Sequence, residues 1–347
     1  MAEAKRITII GGGLAGLSLG IGLRQRDVPV VLLEAGHYPR HRVCGEFISG
    51  RGQDTLTRLG LLQMIESAGA VRAQTAAFFS AKKPITSRPL PAPAFCLSRF
   101  ELDAALARQF RESGGELREG NRAAAEDFSE GAVRATGRRA QEDSGGSRWF
   151  GLKIHACKVT LTADLEMHVS PLGYVGLCRI PGKKVNVCGL FRKGANGNSG
   201  TRNWRELICG PPGSPLNIRM ASAELDEKSL CAVAGLDLRP QRSAERAEIC
   251  VGDAITMIPP VTGNGMSMAF ESAERAIVPL AAWSRGELSW SGAREKIARD
   301  CDKLFRRRLV SAGWLQRLVL APVWQNPLLA FAAQTPWFWR KAFDCTR

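Results

Sequence analysis

Arg6-Ile7-Thr8-Ile9-Ile10-Gly11-Gly12-Gly13-Leu14-Ala15-Gly16 is the stretch whose reading decides the fold. A short β-branched run enters a GxGxxG turn with glycines at 11, 13 and 16. Gly11 permits the tight turn, Gly13 lets a pyrophosphate approach the backbone, and Gly16 lets the next helix pack on the strand. Leu14 and Ala15 open that helix, which the pattern carries to about Arg26 with its first N–H groups facing phosphate. A second strand, Val28 to Leu33, then ends in Glu34, 18 residues after Gly16. A carboxylate there can accept both ribose hydroxyls of an adenosine, and it repels a 2′-phosphate. GxGxxG alone is weak evidence; the ordered strand, turn, helix, strand and acid together are strong. A βαβ unit that holds no nucleotide is the competing reading. Gly16-Leu17-Ser18-Leu19-Gly20 also matches GxSxG, but Ser18 falls inside the helix and not on the strained turn a nucleophile needs.

A second element lies far downstream. Glu248 to Val251 reads as a strand running into Gly252-Asp253-Ala254, followed by Pro259-Pro260-Val261-Thr262-Gly263-Asn264-Gly265-Met266 and a helix through Ser272-Ala273. An aspartate at a strand end can accept a ribityl hydroxyl. A glycine-rich helix start places backbone N–H groups, and the positive end of the helix dipole, where a reduced flavin carries negative charge.

With both elements in place, residues 6–275 resemble the FAD-dependent oxidoreductase superfamily that contains aromatic hydroxylases, geranylgeranyl reductases and flavin-dependent halogenases. Arg42-Val43-Cys44-Gly45-Glu46 is similar to the segment that passes near the flavin in the geranylgeranyl reductase branch. Ser98-Arg99-Phe100-Glu101-Leu102-Asp103 is similar to the family's segment with a cofactor-contacting arginine before a helix. Val133-Arg134-Ala135-Thr136-Gly137 looks like the strand that precedes the late Gly-Asp pair. The resemblance implies an α/β fold: a Rossmann-like, glutathione-reductase-type FAD-binding lobe with two cofactor segments, a β-sheet-rich substrate lobe, and C-terminal helices. It also implies FAD contacts from Gly11, Gly13, Leu14, Ala15, Gly16, Glu34, Arg42, Cys44, Gly45, Arg99, Asp253, Pro260, Gly263, Gly265 and Met266. Taken alone, Arg99 reads equally as a surface charge at a helix start, and Cys44 as a buried thiol in preference to a redox group.

Composition bounds the rest. The 347 residues are 45% hydrophobic and 23% charged, enough for a sizeable core and against extended disorder. A net charge of +15 fits anionic ligands or an anionic surface, and no nucleic-acid-binding motif accompanies it. Ten cysteines occur singly with no CxxC, as in a reduced, intracellular chain. The first strand starts too early for a signal peptide, and the longest apolar run, Leu318 to Ala333, is broken by Gln325, Asn326 and Pro327. The expectation is a cytoplasmic, non-spanning protein.

Residues 1–70, 98–150 and 245–280 are expected to form the cofactor lobe, and 71–97 with 151–244 the substrate lobe. In the substrate lobe, Leu152–Leu161, Leu165–Val169, Gly173–Ile180 and Lys184–Leu190 read as strands and Pro84–Pro93 as a connector. His37 and His41 are separated by Pro39, so they share no helical metal face, and no metal site is expected. His155, His168, Tyr174 and Gly176 are the candidates on the substrate sheet; either histidine reads more readily as a packed or exposed strand residue. Residues 281–347 are expected to be helical. They hold six of the eight tryptophans (Trp283, Trp290, Trp314, Trp324, Trp337 and Trp339), and Lys303 to Arg347 has eight Lys/Arg against one acid. This suits peripheral membrane contact, or a helical layer with its basic face in solvent.

No second GxGxxG is present, so NAD(P)H is expected to dock transiently as electron donor. Three chemistries share the family scaffold. The halogenases of the family carry a Trp-x-Trp-x-Ile-Pro segment, and the stretch that resembles it here, Gly173 to Pro181, has neither tryptophan. Geranylgeranyl reductases carry an aromatic-x-Trp, where this chain has Tyr174 and Gly176. Hydroxylation of a lipophilic or aromatic small molecule therefore ranks first. Flavin-dependent reduction or dehydrogenation of a C=C bond is the alternative, and a non-catalytic flavin-binding protein ranks last.

Overall fold

Ile7–Ile10 forms β1, the centre of a parallel sheet ordered Ile249–Cys250 (β13), Ala132–Arg134 (β7), β1, Val30–Glu34 (β2) and Glu116–Glu119 (β6). The computed structural model describes residues 4–82, 84–124, 127–138, 149–192, 203–321 and 335–346. Leu14–Arg24 forms α1, ending two residues before the sequence pattern does, and residues Leu14 to Leu23 are all buried. It lies against Arg99–Glu112 (α4) and Gly265–Ser284 (α7). The glycines inside it explain the fit: a Cβ on Gly20 would strike Phe110, and one on Gly22 would strike Ile277. Each fully buried leucine of α1 contributes about 2 kcal/mol, more than the ~1 kcal/mol a helical glycine costs. Ser18 is buried within this helix, away from any strand-to-helix turn.

The second sheet has eight strands, ordered Glu224–Val233 (β12), Trp149–Cys157 (β8), Lys184–Arg192 (β11), Gly173–Ile180 (β10), Leu165–Ser170 (β9), Val71–Phe79 (β4), Pro84–Cys96 (β5) and Phe47–Ile48 (β3). Neighbours are antiparallel except β4 and β9, which run parallel. Pro84–Pro93 is therefore strand, not connector. Over most of its length β5 is paired on one side only, with β4, since β3 reaches only Phe95 and Cys96. Pro89, Pro91 and Pro93 share one parity, so their missing N–H groups face a single side of a strand that has an open edge.

On β10, Val175 and Leu177 pack outward on a core with Ile208, Leu216 and Met220. Those three come from Trp204–Cys209 (α5) and Pro215–Met220 (α6). The other parity, Tyr174, Gly176 and Cys178, turns toward the parallel sheet. Arg51–Arg58 (α2) and Leu62–Ser67 (α3) follow β3, and α2 packs on α7. The helix α7 runs past the expected Ala273 and continues through Pro279. Trp290–Leu320 (α8) lies on α7, and Pro336–Cys345 (α9) follows. The pair α7 and α8 is joined by a buried bidentate ion pair, Arg308 to Glu271, with both N–O distances 2.8 Å. Trp324 and the apolar run beyond residue 321 lie outside the described residues. Among the described residues no helix is long and apolar enough to cross a membrane.

Candidate functional site

The C-terminal ends of β1, β2, β7 and β13 open into a cavity of about 1320 Å³, closed on the far side by the eight-stranded sheet. Ligand crevices of open α/β sheets lie at this end of the strands. The volume exceeds the ~300–1,000 Å³ of ordinary ligand pockets, so a large ligand and a second molecule fit together.

Two helices of 11 and 20 residues, α1 and α7, begin at this cavity, and neither has a side-chain cap. Their first N–H groups are thus available to an anion or an electron-rich ring edge. Gly13 and Gly265 sit at these starts, and a Cβ on either would meet nothing within 4 Å, so both leave room at the cavity wall. Gly16 differs: it is off the wall, and its Cβ would lie 2.0 Å from the Gly11 carbonyl oxygen. Leu14, Ala15, Pro260, Gly263 and Met266 also line the cavity. The arrangement fits an FAD with its pyrophosphate at α1 and the pyrimidine edge of its flavin at α7.

Glu34 ends β2 as expected, and its carboxylate is densely bonded. The Gly12 and Gly36 N–H groups donate to it at 2.8 Å each, Arg40 pairs with Oε1 at 2.5 Å, and Arg42 lies 3.6 Å from Oε2. Burial pushes the carboxyl up, but the Gly36 amide, Arg40, the Gly12 amide and Arg42 outweigh it and hold Glu34 below its ordinary range. A carboxylate has about four lone-pair sites, and the three close donors leave one on Oε2 for a ribose hydroxyl. Sequence reasoning missed both Arg40 and Tyr38, whose hydroxyl donates to the Gly12 carbonyl at 2.5 Å and props the glycine turn from beneath.

Arg42 and Arg99 both line the cavity and share the fully buried Asp103. Arg99 binds it through two nitrogens at 2.7 and 2.8 Å, and Arg42 Nε lies at 3.1 Å. One carboxylate so fixes two cations along the expected course of the cofactor. Ser98 caps α4 by accepting from the Glu101 N–H, which sets the direction in which Arg99 leaves the helix. Cys44 and Gly45 line the same wall. Burial pushes the Cys44 thiol up despite Arg99, consistent with a packed thiol. Asp253 is exposed to the cavity, with protein on its other sides. That surrounding protein mass pushes its carboxyl up to about 6, against the pull of Arg99 and Arg138.

Tyr174 and Gly176 face the cavity from β10. The Tyr174 hydroxyl is buried without a partner among the described residues, and a Cβ on Gly176 would come no closer than 3.7 Å to any atom. The two sheet histidines lie behind the wall rather than on it, which corrects the substrate-facing reading. His168 stacks on Phe79 and bonds Glu166 at 2.9 Å. His155 bonds Glu46 at 2.7 Å, and the fully buried Lys153 approaches the other Glu46 oxygen at 3.2 Å and His41 Nδ1 at 3.1 Å. Burial pushes Glu46 up, but His155 and Lys153 prevail and hold it low, while burial and Lys153 bring His41 down to about 4. The Arg99 N–H also donates to Glu46, so this one side chain ties the Arg42 to Glu46 segment to β8 and α4. Lys153 was missed. Its signal was two basic residues at i and i+2 in an otherwise apolar strand, a pattern that calls for a buried acid. Among the described residues no group of three His, Cys, Asp or Glu is placed to hold a metal.

A family model described as FAD binding domain matches residues 4–148. That segment is similar to FAD binding domains. A 1H-pyrrole-2-carbonyl-(peptidyl-carrier protein) brominase of Pseudoalteromonas luteoviolacea (strain 2ta16) is 30% identical over 123 residues, a match that spans 35% of this chain and 30% of the brominase. Among solved structures, the flavin-dependent brominase Bmp2 superposes with a TM-score of 0.74 at 17% identity, covering 99% of this chain and 93% of that one. The p-nitrophenol 4-monooxygenase PnpA of Pseudomonas putida DLL-E4 gives 0.73 at 16% identity, covering 100% and 98%. The myxobacterial chondrochloren halogenase CndH gives 0.71 at 18% identity, covering 99% and 96%. The chain thus has the fold of flavin-dependent monooxygenases and halogenases from end to end, and the fold by itself does not choose between the two reactions.

Proposed function

We propose that the protein is an FAD-dependent oxidoreductase, specifically an NAD(P)H-linked monooxygenase that hydroxylates a lipophilic or aromatic small molecule. The observation that carries this reading is the cavity: uncapped helix starts on the cofactor side, and an apolar wall of Leu165, Met167, Leu190 and Val233 around Tyr174 and Gly176 on the other. Bound FAD supplies hydride acceptance and oxygen activation. The chain's part is to hold FAD through α1, Glu34, Arg42, Arg99, Asp253 and α7, and to keep water from the space beside Gly176. Tyr174 lines that space with its ring, its hydroxyl buried in the wall. Reduction of a C=C bond is the second reading, favoured by the Cys44-Gly45-Glu46 segment on the cavity wall. Within this reading the protein acts in the cytoplasm, and NAD(P)H docks only transiently.

Rapid mixing of FAD-loaded protein with NADH or NADPH, with and without O₂, tests the proposal. Hydroxylation requires flavin reduction accelerated by substrate, and O₂ consumed in step with product. Substrate turnover in the absence of O₂ would establish the second reading instead. A flavin never reduced at a useful rate would leave only a binding protein, and purified protein that binds no FAD would sink both.

A further inference from the structure

Five large apolar side chains are exposed among the described residues, and three of them, Val310, Trp314 and Trp337, lie on α8 and α9. On α8 the exposed positions after Asp302 are Lys303, Arg306, Arg307, Val310, Trp314 and Arg317, which recur at helical spacing along one face. Val310 is 61% and Trp314 64% exposed, and from Lys303 to Leu320 the helix contains no carboxylate. Among the described residues none of those four cations is in an ion pair, whereas Arg308, on the inner face, is fully engaged with Glu271. The helix α9 repeats the pattern: Trp337 is 66% exposed, Arg340 and Lys341 are exposed, and the Lys341 ammonium sits 4.6 Å from the Trp337 ring.

We propose that the outer faces of α8 and α9 dock on an anionic lipid bilayer. Exposed tryptophan and valine set among unpaired lysines and arginines match the two layers of such an interface: apolar groups enter the acyl boundary while cations meet phosphate headgroups. A second copy of the chain fits poorly, because a two-fold interface here sets four cations against the same four. A nucleic acid would satisfy the charges but offers nothing to Val310.

The inner faces of the same helices place the surface beside the cavity. Leu315 and Val319 of α8 and Phe343 of α9 line it, and the Asn264 side-chain amide at the start of α7 donates to the Thr346 carbonyl. Trp314 outside and Leu315 inside are adjacent residues. A lipophilic substrate dissolved in the bilayer therefore has a short route to the site, a consequence that rests on the proposed hydroxylase reading; the docking itself does not.

The test is flotation of full-length, FAD-loaded protein with vesicles of phosphatidylcholine alone or with about one-third phosphatidylglycerol. The protein should float with the anionic vesicles at low salt and much less with the neutral ones. Replacing Lys303, Arg306, Arg307 and Arg317 by Gln should lower the partition coefficient by about five-fold per cation and abolish the preference for anionic lipid. Val310→Ser with Trp314→Ser should lower it about ten-fold or more on both vesicle types. Retained flavin absorbance shows that each variant is folded. The proposal fails if wild-type protein stays at the bottom of the gradient, or if both variants float as it does. It also fails if sedimentation shows a dimer that Trp314→Ser dissociates, or if duplex DNA displaces the vesicles. None of these readouts depends on turnover, so failure here leaves the hydroxylase reading standing, and failure of that reading leaves docking standing.

Discussion

Asp253 makes flavin retention depend on pH. In the cofactor-free fold its carboxyl ionises near 6, against 3.8 in an unfolded chain, so the folded state holds the proton more tightly. Between those values the cofactor-free fold loses stability as pH rises, and a hydroxyl donor from FAD offsets the loss by stabilising the carboxylate. FAD affinity, followed by flavin fluorescence, should rise with pH through about 6 and level off above it; Asp253→Ala should bind more weakly and lose that step. Unchanged retention in the alanine variant would remove Asp253 from the site. Tyr174 offers the opposite test. Its hydroxyl has no partner among the described residues, so Tyr174→Phe removes an unsatisfied group and should change stability by less than ~1 kcal/mol. With the hydroxyl in the wall, FAD binding and kcat/KM should both hold; a fall in kcat/KM of about ten-fold, some 1.4 kcal/mol of transition-state stabilisation, would show that it reaches the substrate.

Two glycines of one motif separate binding from folding at the start of α1. Gly13 has φ −86°, which alanine adopts freely, and its Cβ would enter only the cavity. Gly13→Ala should therefore melt like the wild-type apoprotein while losing FAD affinity by about a hundred-fold, because a methyl group occupies the approach of the pyrophosphate. Gly16→Ala forces a methyl into the Gly11 carbonyl and should destabilise the apoprotein itself by about 1–3 kcal/mol in chemical denaturation. Equal effects of the two on melting would refute this division. Between α7 and α8, Arg308→Ala strands the buried Glu271 carboxylate and should cost about 3–5 kcal/mol. A loss below 1 kcal/mol would mean that water reaches the pair.

Across the molecule, the cavity lies between two sheets, and the Glu46 cluster is one of the connections between them. FAD filling that space should stabilise both lobes together. Apoprotein supplied with free FAD at about one hundred times its Kd should gain about 2.7 kcal/mol, read as one cooperative shift in thermal melting. A second transition that ignores FAD would show that the substrate sheet unfolds by itself.

Local rules made the parallel sheet legible. A β-branched run, three spaced glycines and an acid 18 residues on are constraints between near neighbours, so Gly11, Gly13, Gly16 and Glu34 could be assigned before any coordinates. The apolar run Gly173–Ile180, bounded by glycine and proline, likewise announced a strand with both ends correct. What the sequence could not state is which distant residues meet. The prolines of Pro84–Cys96 read as a connector because the edge position that tolerates them is set by β4, not by the prolines. His155 and His168 read as available because Glu46 lies 109 residues from the first in sequence and comes within 2.7 Å only in the fold. Asp253 was legible as a residue type, but the surrounding protein mass that lifts its carboxyl to about 6 is assembled only in the fold. The sequence by itself determined that this chain builds a dinucleotide turn and a second glycine-rich helix start. Only the tertiary structure decided that both face one cavity and that the histidines stand behind it, because burial, partners and electrostatic shifts come from contacts between residues far apart along the chain.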